Sequence, residues 1–228
     1  MKLLAVDTST EACSVALLHN NAVLALDEVC PQQHSKRVLP MVQQVLAEAN
    51  YALTDLDGIV FGRGPGSFTG VRIGVGVCQG LAFGADLPVF GVSTLAAMAQ
   101  AAHRRYQATS VVAAIDARMA EVYFAHYQLS DAGVMVAVDE EIARKPSELP
   151  ACLFTDGGFA VGTGFVTYQS FFQDWAHLQQ CRDILYPSAQ DMVALAATPW
   201  RAGQFISAEL AEPVYVRDEV TWQKLPGK

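Results

Sequence analysis

The sequence predicts an α/β protein in which mixed sheets are flanked by helices. Three observations carry that reading. Short apolar runs joined by tight polar turns open the chain. Apolar strand-like runs then alternate with segments of helical periodicity. Past the midpoint the opening pattern returns in weaker form, so that an apolar run ending in Asp116 echoes one ending in Asp7.

Residues 2–8 form the first apolar run and enter the polar turn Asp7-Thr8-Ser9-Thr10. Residues 13–18 and 22–29 follow, separated by Asn20-Asn21, a turn dipeptide. Links this short between three consecutive strands require an antiparallel meander. Residues 35–50 place Val38, Leu39, Met41, Val42, Val45, Leu46 and Ala49 at helical spacing, with Asn50 as a C-terminal cap. Residues 59–61 are a short buried strand, broken by the glycine-rich segment 62–67. A helix over 68–85, a strand over 88–92 and a helix to about residue 104, capped by Ser93 or Thr94, complete the unit. The order βββαβαβα is the unit of RNase H-like, actin-like folds.

The second unit begins near Ser110, with strands over 111–115, 121–129 and 134–142. Short strands at 153–154 and 160–161 surround Gly157-Gly158, helices are expected over 166–175 and 189–197, and 213–217 reads as extended. This divides the chain into an N-terminal lobe, 1–106, and a degenerate C-terminal lobe, 107–228, whose late helix is placed to pack back on the first.

Composition bounds the function. Of the 228 residues, 52% are hydrophobic and 17% charged, which fits a packed domain and excludes disorder. A net charge of −8 argues against stand-alone binding of nucleic acid, which needs a basic footprint. Five cysteines, an odd number without any C-x-x-C pair, fit reduced thiols in the cytoplasm better than disulfides or a zinc site. The N-terminal run meets Asp7 too early for a secretory signal. The one membrane-like stretch, 69–85, is short and interrupted by Arg72 and Gln79, so no membrane span is expected.

The helix over 68–85 is the most informative segment. Gly70, Gly74, Gly76, Gly80 and Gly84 lie within it, and each costs about 1 kcal/mol relative to alanine in a helix. Close approach by neighbouring elements is the natural compensation. Ile73, Val77 and Leu81 share the glycine side, while Val71, Val75, Cys78 and Ala82 lie opposite, so the helix is apolar almost all round. A core helix between two lobes and a subunit interface fit that pattern equally well. A phosphate cradle fits less, since neither the Walker lysine nor G-x-G-x-x-G is present.

Taken together, Asp7-Thr-Ser-Thr, the segment Gly64-Pro-Gly-Ser-Phe-Thr-Gly-Val-Arg-Ile-Gly74, Asp116-Ala-Arg118 with Glu121-Val-Tyr123, and Pro213-x-Tyr215-x-Arg217 resemble the bacterial TsaB (YeaZ) family. The resemblance spans nearly the whole chain. It implies a two-lobed actin-like (ASKHA) fold and a scaffold role in making tRNA threonylcarbamoyladenosine. It also implies pairing with the catalytic paralogue TsaD through the first two helices, with the ATPase TsaE joining and tRNA reached only through the complex. The partner interface expected here comprises Val38, Met41, Val42, Val45, Gly70, Arg72, Ile73, Gly76, Val77, Gly80 and Leu81, and the same patch should drive homodimerisation in isolation.

The resemblance further implies that the catalytic paralogue's metal-binding His-x-x-x-His pair maps to Thr94 and Met98 here, a poor donor set for iron or zinc. No cofactor and no metal are therefore expected. Asp7 and Asp116 end equivalent strands and, with Thr8 and Ser9, form a candidate vestigial phosphate site. Turn capping explains the same residues. An ATP-dependent kinase or ATPase of the same fold, a metallopeptidase and a nuclease are the rival readings.

Overall fold

The computed structural model describes residues 1–149, 157–175 and 177–217. The opening strands, β1 (Lys2–Asp7), β2 (Ala12–His19) and β3 (Ala22–Val29), form the antiparallel meander. Asn20 and Asn21 both take positive φ, the conformation a two-residue turn needs to match strand twist. β1 and β2 are continuous apolar runs because both of their faces are covered, whereas β3 is a half-exposed edge. β4 (Gly58–Gly64) and β5 (Val89–Ser93) add in parallel, giving the order β3-β2-β1-β4-β5. β4 runs three residues past the expected strand, since its glycines still pair with β5.

A second sheet repeats the plan, with β6 (Ser110–Arg118) in the role of β1. β6 pairs antiparallel with β7 (Glu121–Leu129) on one side and parallel with β10 (Gly158–Val161) on the other. β8 (Met135–Ala137) and β9 (Ile142–Arg144) both pair with β7, so the strand expected over 134–142 is two short pieces. β11 (Leu178–Cys181) closes the far edge. The expected strand 153–154 lies outside the described residues.

Helices cover these sheets in three layers. α1 (His34–Glu48) and α2 (Phe68–Ala85) sit on the outer face of the first sheet, over Leu4, Val6, Val15, Ile59 and Phe61. α4 (Thr163–Thr167) and a 3-10 stretch, Gln169–Trp175, cover the outer face of the second, in place of the single helix expected there. Between the sheets lie α3 (Thr94–Tyr106) and α5 (Ala189–Arg201). Leu95, Met98, Ala99 and Ala102 of α3 pack on Val111, Ala113 and Tyr127 of the second sheet. Met192, Val193 and Ala196 of α5 pack on Leu3, Ala5, Ala16 and Val60 of the first. Arg104 joins the two helices by a two-pronged pair to Asp191, at 2.8 and 2.9 Å, whose carboxylate is fully buried.

The caps follow sequence logic. Ser67 accepts from the Gly70 N–H, Ser93 accepts from the Ala96 N–H, and Asn50 takes positive φ just past α1. α2 is long and apolar enough to cross a membrane by length and composition alone. Its Val71, Val75, Cys78 and Ala82 are buried against the first sheet.

Candidate partner surface and inter-lobe cleft

The β1–β2 turn and the glycine loop hold each other at the mouth between the sheets. The Thr8 hydroxyl donates to the Gly70 carbonyl at 2.7 Å, and the Ser67 N–H donates to the Ser9 carbonyl at 2.7 Å. That approach dictates three of the glycines. A Cβ at Gly66 would lie 2.3 Å from the Ser9 carbonyl oxygen, one at Gly70 2.2 Å from that of Thr8, and one at Gly74 2.8 Å from the Thr8 hydroxyl. Gly70 is therefore an internal contact and does not belong to a partner interface.

The four residues of the candidate phosphate site do not converge. Asp7 is buried, its Oδ1 accepting from the Ser9 N–H and hydroxyl, its Oδ2 without a hydrogen-bond partner and aimed at Gly62. Burial pushes its pKa up to about 7, against the opposing effect of the Ser9 hydrogen bonds. The Ser9 hydroxyl is spent inside the turn and the Thr8 hydroxyl on the Gly70 carbonyl. Asp116 lines a cleft of about 440 Å³ together with Ser9, Glu11, Ser67 and Arg118. It accepts from the Arg118 backbone and guanidinium and from the Tyr168 hydroxyl, while Arg118 also pairs with Glu11. These bonds tie Asp116, Arg118 and Glu11 to one another.

Thr94 and Met98 are fully buried. Thr94 donates its hydroxyl to the Pro65 carbonyl, and Met98 packs in the core beneath the second sheet. Among the described residues no three His, Cys, Asp or Glu side chains gather as a metal site would require. Cys13, Cys30, Cys78 and Cys181 are free and buried. Burial raises the Cys13 and Cys181 thiols to about 12 and 11, which keeps them protonated and unreactive.

The outer helices divide the expected interface residues. Val38, Met41, Val42 and Val45 are buried in the core under α1 and present nothing outward. An amphipathic helix on a sheet must turn its apolar stripe inward, so that stripe marks core. The residue that breaks the stripe, Leu39, is the exposed one. On α2 the division runs through the glycines. Among the described residues, Gly76, Gly80 and Gly84 have no heavy atom beyond their chain neighbours and their own helix backbone within 4 Å of the position a Cβ would take. Ile73, Val77 and Leu81 beside them are half-buried, and Phe83 is 69% exposed. α3 and α5 fill the space between the sheets, so α2 is not a central core helix. Arg72 is braced at the end of this face, its guanidinium 3.8 Å from the Phe68 ring centre and its Nε donating to the Tyr215 hydroxyl at 2.7 Å. Leu39 and Phe83, both exposed and off their helices' core stripes, were not among the residues expected at the surface.

Paired sheets of one plan, two helices enclosed between them and a glycine loop at the mouth define an actin-like α/β protein. Residues 25–221 match the family model described as TsaD, tRNA N6-adenosine threonylcarbamoyltransferase. The Escherichia coli tRNA threonylcarbamoyladenosine biosynthesis protein TsaB is 46% identical over the full length of both chains. The Haemophilus influenzae protein of that name is 48% identical over all of this chain and 98% of its own. The crystal structure of a Pseudomonas aeruginosa protein described as similar to peptidase YeaZ superposes with a TM-score of 0.87 at 46% identity, covering 95% of this chain and 99% of that one. The chain belongs to the TsaB (YeaZ) family.

Proposed function

We propose that this chain serves tRNA threonylcarbamoyladenosine biosynthesis as a non-catalytic subunit that docks a TsaD-like enzyme through the outer face of α2. One observation carries the reading. Three glycines four residues apart open onto empty space, flanked by Ile73, Val77 and Leu81 and by the exposed Phe83. Helix-interior glycine is a standing cost of about 1 kcal/mol per residue, and no contact among the described residues offsets it at Gly76, Gly80 or Gly84. A second helix lying close along the groove would. The partner surface is then Arg72, Ile73, Gly76, Val77, Gly80 and Leu81, with Phe83 and Leu39 replacing the buried residues of α1.

The remaining features support a scaffold. Asp7 is enclosed, Asp116 is held by Arg118 and Tyr168, and Thr94 and Met98 serve packing. A TsaE-like ATPase joins the pair, and tRNA is reached through the complex, in keeping with the acidic charge of −8. Without its partner the same face supports a homodimer. Reduced, buried cysteines suit the cytoplasm. The lobes follow the boundary near residue 106, with α5 completing the first.

Binding of a TsaD-like enzyme to Gly76→Leu and Gly80→Leu variants tests the reading. Leucine is a good helix former with free space at both sites, so the variants should melt no lower than the wild type and bind at least tenfold more weakly. Wild-type affinity in both would refute docking through this face.

A further inference from the structure

We propose that residues 213–217 are a strap that closes the cleft mouth and fixes the separation of the two lobes. The segment has no regular secondary structure and grips a different lobe at each end. Toward its start, the Val214 N–H donates to the Arg63 carbonyl at 2.8 Å, at the end of β4. The Val214 carbonyl lies over Gly64, 3.1 Å from where a Cβ would be, at a residue whose φ of 97° already requires glycine. Tyr215 lies against Phe68, with ring centres 5.6 Å apart, and accepts from Arg72. Two residues later, Arg217 turns to the second lobe. Its Nη2 donates to the Ala117 carbonyl at 3.1 Å and to the Glu121 carboxylate at 2.5 Å, and its guanidinium stands 6.0 Å from the Tyr123 ring centre.

Arg217 also partitions space. It lines the 440 Å³ cleft on one side, and on the other an apolar cavity of about 570 Å³ walled by Pro65, Phe68, Val71 and Tyr123. Releasing the strap would join the two.

Among the described residues two other ion pairs cross the rim. Arg118 reaches Glu11, but at 75% exposure for its side chain the pair is screened by water and holds little. Arg63 pairs with Glu141 at 3.2 Å, and Glu141 accepts from Tyr127 at 2.9 Å. The strap takes its backbone bond from Arg63 itself, so it braces that contact as well. A backbone hydrogen bond and a charge-assisted guanidinium contact are the stronger ties.

Native-state hydrogen exchange on the full chain tests the strap. Val214→Pro removes the donor to Arg63, and Arg217→Gln removes the ion pair. The amides to follow are those of Ser67 and Asp116, which donate to the Ser9 carbonyl and the Thr163 hydroxyl on opposite cleft walls, outside the strap's contacts. Each variant should speed both amides at least tenfold and leave β1 and β2 unchanged, while Arg118→Ala should change neither. Acceleration confined to 213–217 and the residues it touches would overturn the proposal. So would uniform acceleration through β1 and β2, which would make the segment part of the global fold and not a tie across the cleft.

Discussion

The glycines of α2 fall into two sets, and alanine separates them. At Gly76 and Gly80 an added methyl meets open space, so only backbone entropy changes. Each substitution removes a helix penalty of about 0.8–1 kcal/mol, or about 2 kcal/mol for the pair. In a chain of this size 1 kcal/mol moves the melting temperature by about 2–4 °C, so the double variant should melt about 4–8 °C higher. At Gly70 the same methyl would sit 2.2 Å from the Thr8 carbonyl oxygen, a backbone atom fixed in the turn. Gly70→Ala should therefore lose about 1–3 kcal/mol by overpacking. Thermal melting followed by circular dichroism, diluted until the midpoint no longer depends on protein concentration, measures both. A double variant melting at or below the wild type would refute the reasoning, because it would show that this face is already packed within the single chain.

Asp7 makes stability depend on pH. Its folded pKa lies near 7, above its ordinary value of 3.8, so the native state holds a proton that the unfolded chain has released. The stabilisation is complete below pH 4 and is lost as pH rises toward 7, by about 2–4 kcal/mol in all. Urea titrations from pH 4.5 to 8 should show that decline, and Asp7→Asn should flatten it; equal slopes in the two proteins would count against a neutral Asp7. The β6–β7 turn carries strain of a different kind. Arg118, Met119 and Ala120 take φ of 62°, 55° and 60° in succession, and none is glycine. Ala120→Gly should stabilise the chain by about 1 kcal/mol, read as a raised denaturation midpoint with an unchanged slope.

The outer helices show what the sequence could and could not reveal. The bounds of α2 and β7 were legible, as were the Asn20-Asn21 turn and the caps Ser67 and Ser93, because each rests on local chemistry. Which side of α1 faces a partner was not. Periodicity shows that Val38, Met41, Val42 and Val45 share a side, but an inward stripe and an interface stripe look alike until the sheet beneath is known. The same limit applies to the glycines. Gly70 and Gly80 read identically in sequence, and only the position of the Thr8 carbonyl separates a close approach from an open groove. The second lobe was harder still. Gly164 leaves under 3.1 Å to β6 and β7 at its Cβ position, and the expected long helix becomes a five-residue turn followed by 3-10 structure.

The two enclosed helices are exchanged between the halves of the chain. α3, made early, packs on the second sheet, while α5, made late, supplies the inner cover of the first. A chain emerging from the ribosome completes β1 to β5 long before α5 exists. Until then Leu3, Ala5, Ala16 and Val60 form an apolar sheet face that lacks most of its cover, with only Ala97 of α3 beside it. Sheet surfaces left open in this way are where partly made proteins stick to one another. A stop codon before residue 189 would thus leave the first sheet without most of its inner wall and its apolar face open to association with other chains.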